Sequence, residues 1–137
     1  MSEDAERFVL SFAVAALDSF EKLEVVLAIE RAGGAMPPEQ IAAATGLTLG
    51  DVREALEGLV DSCAVRAGAA GYALDDTGPW AEHLRELAAL HKRDRMRVVT
   101  LMSNAALERM RDRASRAFSD AFLVRSKSSK KGGDSDG

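Results

Sequence analysis

At 137 residues the chain is long enough for one domain with a core of its own and short for two. Its composition, 47% hydrophobic and only 5% aromatic, rich in Ala and Leu, favours a mainly helical protein. The longest apolar run, FVLSFAVAAL from Phe8 to Leu17, is too short for a bilayer span of roughly twenty residues, and the acidic MSEDAER before it is unlike a secretory signal. The expectation is a cytoplasmic protein that meets no membrane.

Net charge is −4, but residues 1–76 hold 14 acids and 5 bases whereas residues 77–137 hold 8 acids and 13 bases. A nucleic-acid surface is therefore expected to draw on the second half.

In chain order, residues 1–18 read as an N-terminal helix, apolar at nearly every position between Phe8 and Leu17. Such a helix has no polar face and must be covered on all sides. A second copy of itself is the simplest cover in so small a protein, so a homodimer sharing this helix is expected. Residues 19–78 carry three more helices and a hairpin. Asp18 and Glu21 have capping-box spacing before FEKLEVVLAIERAG, whose Leu23, Val26 and Leu27, with Val25 and Ile29, form the apolar side, and Gly33-Gly34 stop it. Pro38 suits the first position of a short helix ending near Thr45-Gly46. Thr48, with Asp51 three residues on, predicts a capped start for the next helix, with Val52, Leu56, Leu59 and Val60 as its buried stripe. Cys63, the single cysteine, reads as a small buried residue closing that helix. CAVRAGAAGYALDD then gives two short extended pieces about a Gly-bounded tip.

From Trp80 to about Phe122 the pattern is helical, with Leu84, Leu87, Val98, Met102, Ala105, Met110, Ala117 and Phe122 near one seam. At 1.5 Å per residue an unbroken helix of this length spans roughly 60 Å, so residues 79–123 either break, with HKRDRMR or Ser103-Asn104 as candidate sites, or form a dimerising arm. Residues 124–137 are polar and rich in Gly and Ser and are expected to be disordered.

The order helix, helix, short helix, turn, helix, two-stranded hairpin, long helix resembles the winged helix-turn-helix family, over about Ser19 to Leu87, with a long C-terminal helix as in dimeric members of the MarR and PadR type. Ile41-Ala42 and Gly46-Leu47 match the first motif helix and its turn, and Val52, Leu56 and Leu59 match the buried positions of the recognition helix. Ala64-Val65 match the strand after it, and GYALDDTG is similar to the exit from the family's wing, with Asp75 where Thr is usual and Cys63 where Gly is usual. The implied fold is mainly α, a winged helix-turn-helix with a small two-stranded β-wing and long N- and C-terminal dimerisation helices. A second resemblance, to the dimerisation domain that precedes small-molecule O-methyltransferase domains, has the same element order without the catalytic part.

The resemblance makes Thr48, Gly50, Asp51, Arg53, Glu54 and Glu57 the recognition surface and Arg66 the base on the wing. Arg53 has the fork that pairs with guanine, but three carboxylates beside it oppose phosphate binding. Lys92, Arg93, Arg95 and Arg97 supply cations that the motif lacks. Two functions are open: a dimeric winged-helix DNA-binding transcriptional regulator, or a protein-protein interaction module whose acidic face, Asp51, Glu54, Glu57 and Asp61, meets a basic partner. His83 and His91 lack companions at metal-ligand spacing, and no phosphate-loop, nucleophile-elbow or zinc-protease motif occurs. No metal, cofactor or enzymatic activity is expected.

Overall fold

The computed structural model describes residues 3–136, with side chains described over 4–121. The chain divides into two compact units, residues 1–105 and 106–137. It is mainly helical with a small two-stranded antiparallel sheet. The helices are α1 (Glu3–Ala16), α2 (Phe20–Ala32), α3 (Pro38–Thr45), α4 (Leu49–Asp61), α5 (Ala81–Arg93) and α6 (Arg95–Asp136), and the strands are β1 (Val65–Gly68) and β2 (Gly71–Leu74). No helix of the described residues is long and apolar enough to cross a membrane.

Local chemistry explains most boundaries. The α2 N-cap is Ser19, one residue beyond the expected Asp18: its hydroxyl accepts from the Lys22 amide at 3.2 Å. Asp18 turns outward to an ion pair with Lys22 at 2.6 Å. Gly33 ends α2 at φ +73°, its N–H bonding the Ile29 and Glu30 carbonyls. Pro38 opens α3, and Gly46 closes it at φ +78°. Thr48 caps α4 as its spacing predicts, accepting from the Asp51 amide at 3.1 Å.

Cys63 departs from expectation, because it is exposed. Its φ of +68° is left-handed, and the 3.0 Å bonds from Cys63 N–H to Val60 O and from Ala64 N–H to Leu59 O complete a Schellman turn. A cysteine thus occupies the position at which glycine is least strained.

The hairpin pairs Val65 with Leu74 and Gly68 with Gly71 across a tip of Ala69 and Ala70. A further bridge joins Met36, in the loop before α3, to Tyr72 through bonds of 2.9 and 2.8 Å. Gly71 lies at φ +128°, and a side chain there would meet the Met36 backbone. Asp75 accepts from the amide and hydroxyl of Thr77 at 3.2 and 3.1 Å, which turns the chain out of the hairpin.

The helical run after Trp80 breaks within HKRDRMR, at Asp94, and continues through Ser103-Asn104. Asp94 is extended, and its carboxylate accepts from the Arg97 amide at 3.1 Å, starting α6.

The core of the first unit joins α1, α2 and α4 to α5 and the beginning of α6: Phe12, Leu17, Ile29, Ile41, Leu56, Leu59 and Leu87 are fully buried. One side of α1 is covered within the chain, since α1 packs on α5 and Val9 and Phe12 are 1% and 0% exposed, while Ser11 and Ala15 face outward. Of the expected C-terminal seam, Leu84, Leu87, Val98, Met102 and Ala105 are buried. Met110 and Ala117, in the second unit, are exposed. Phe122 and the expected disordered tail, 124–137, lie outside the residues whose side chains are described.

Candidate interaction surface

The surface carried by α4 results from its amphipathic spacing. Val52, Ala55, Leu56 and Leu59 are buried, which turns Thr48, Gly50, Asp51, Arg53, Glu54, Glu57 and Asp61 to solvent. Six of these seven are the residues expected to form the recognition surface, and Asp61 joins them on the same face.

Two depressions flank this face. One, of 750 Å³, lies between α4 and the hairpin, with Glu39, Arg53, Glu57 and Asp61 at its border and Gly68 to Tyr72 opposite. The other, of 350 Å³, lies between α4 and the beginning of α2, bordered by Asp18, Glu21, Lys22, Asp51 and Glu54. Together their borders hold seven carboxylates and two cations. Lys22 pairs with Asp18 at 2.6 Å, and the exposed Arg53 lies 3.8 Å from Glu39. Glu39, Asp18 and Glu21 are not predictable members of this face from sequence, because they come from other segments, and only the packing of α2 and α3 on α4 brings them here.

The Lys22 ammonium crosses α4 at the point where a Cβ on Gly58 would stand, and the Lys22 side chain is 17% exposed in its pair with Asp18. The α2–α4 seam therefore closes over a buried stem with a neutralised head.

Arg66 lies on β1 away from these depressions and pairs with Asp76 at 3.5 Å. Lys92, Arg93 and Arg95 are exposed around the α5–α6 junction. Arg97 does not join them as an available cation: its Nε donates to Glu6 of α1 at 2.6 Å, and that hydrogen bond, with the Glu6 charge, raises its already high pKa. No three His, Cys, Asp or Glu side chains among the described residues are grouped to hold a metal ion. Comparison with protein families, with characterised proteins and with solved structures finds no match to this chain.

Proposed function

We propose that the chain is a winged-helix interaction module that presents α4 to a basic protein surface. The observation that carries this reading is the charge around α4: seven carboxylates border its two depressions against two cations, Lys22, which pairs with Asp18, and Arg53. Duplex DNA binds chiefly through cations that replace its counterions, and this face offers the opposite sign. A basic partner gains from the same arrangement in association rate and in choice of partner.

A second reading, a dimeric DNA-binding regulator, is favoured by the exposed Lys92, Arg93 and Arg95, with base readout resting on Arg53 once it leaves Glu39. Fluorescence anisotropy separates the two, using labelled random-sequence duplex and a labelled Lys/Arg-rich peptide, at low and at physiological salt. The expected outcome is binding of the peptide, lost when Glu54→Lys and Glu57→Lys are combined, and no binding of duplex. Salt-sensitive duplex binding that is lost in Arg53→Ala would replace the first reading with the second.

A further inference from the structure

Four rings gather where α1 meets α5. Phe8 stacks on His83 with centroids 3.6 Å apart and planes 15° from parallel. Trp80 lies nearly perpendicular to the same imidazole, centroids 4.9 Å apart, and Phe12 lies 5.2 Å from Trp80 and 6.2 Å from His83. The indole Nε1 of Trp80 donates to the Ser62 carbonyl at 2.8 Å, which ties the cluster to the end of α4. Within it, Nδ1 of His83 is closed off from solvent and has no hydrogen-bond partner.

A neutral imidazole accommodates this by carrying its one proton on Nε2 and leaving Nδ1 as a bare acceptor. Protonation places a hydrogen on both nitrogens. A charged donor then stands in an aromatic seam with nothing to accept from it, which is the costliest way to leave a hydrogen bond unmade. The face of Phe8 attracts a cation, but this is the smaller effect.

We propose that the α1–α5 seam is a proton-operated latch, in which protonation of His83 loosens α1 from α5 while the α2–α4 core stays folded. The rings facing the imidazole from α1 and from the residue preceding α5 are the uncharged Phe8, Phe12 and Trp80. The α1 carboxylate Glu6 is bound to Arg97. On α5 the neighbouring Glu82 favours the proton, but burial outweighs it and lowers the His83 pKa below its ordinary value. The folded form therefore binds this proton less readily than the released one. The latch is fully engaged above about pH 6.5, the value of a free imidazole, and weakens as pH falls below it toward the lowered value. Nothing in this device depends on which partner the acidic face takes.

The test is an NMR titration of the full chain from about pH 7.5 to about pH 5, the window in which histidine changes charge, combined with amide hydrogen exchange corrected for its intrinsic pH dependence. His83 is expected to titrate below the free-imidazole value. As it does so, exchange at Val9 to Ala16 should accelerate roughly threefold or more relative to the amides of α4, and His83→Phe, which keeps a ring in the stack, should abolish the acceleration. The proposal is overturned if His83 titrates at or above the free value, if it protonates with no change in α1 exchange, or if the acceleration persists in His83→Phe. Should that variant not fold, the two measurements on the unaltered chain decide alone.

Discussion

Two helical stretches carry large apolar side chains, and they are treated in opposite ways. On α1 and the residue closing it, Val9, Phe12 and Leu17 are 1%, 0% and 0% exposed, whereas on the 106–121 part of α6, Leu107, Met110 and Phe118 are 51%, 62% and 74% exposed. Periodicity accounts for the contrast. From Phe8 to Leu17 apolar residues occur on every side, so α1 is insoluble as a free helix and must be folded into a core. Leu107, Met110 and Phe118 instead form a narrow ridge between Glu108, Arg109, Arg111, Asp112 and Arg113, and a helix with that many charges persists in water. Hydrophobic content alone does not decide burial; the angular distribution of that content around the helix does.

Matched truncations test the contrast in urea unfolding. Phe12→Ala should destabilise the first unit by roughly 3–5 kcal/mol, the range for removing a fully buried aromatic side chain. At the turn that carries Ser62, the acceptor for Trp80, Cys63→Gly should act in the other direction and add about 0.5–1 kcal/mol, because it relieves a left-handed L-residue; a loss would mean that the thiol makes a contact that outweighs its strain. Phe118→Ser should change stability by no more than about 0.5 kcal/mol. If it proves as costly as Phe12→Ala, the ridge is covered in solution and the contrast between the two helices fails.

Much of the local structure was legible because it is written in neighbouring residues. Thr48 with Asp51, Pro38, Gly33 and Gly46 mark their helix ends by chemistry that needs no tertiary context, and the charged HKRDRMR does contain the break. Features that depend on distant partners were not legible. The α5 surface that covers one side of α1 begins more than sixty residues later, beyond the reach of local pattern. Cys63 reads as buried because free cysteines usually are, whereas its position is dictated by the turn that ends α4. The acidity of α4 itself was visible in Asp51, Glu54 and Glu57; its extension to Asp18, Glu21 and Glu39, and the engagement of Arg53, Arg66 and Arg97 by acids elsewhere in the chain, required three-dimensional proximity. Of the expected cationic residues, Arg97 is exposed but paired with Glu6, while Lys92, Arg93 and Arg95 are exposed.

The single residue between α5 and α6 has an evolutionary consequence. Asp94 donates its amide to Leu90 at 2.7 Å and accepts from Arg97 with its side chain, so one position ends one helix and begins the next. Adding or removing one residue there would rotate the first turns of α6 by about 100°, the angular step of a helix with 3.6 residues per turn, and carry Val98, Leu101, Met102 and Ala105 off the core. Length variation should therefore be purged from this junction in any lineage that keeps the fold, while the exposed Ala69-Ala70 tip, with no side chain to lose from the interior, is free to accumulate it.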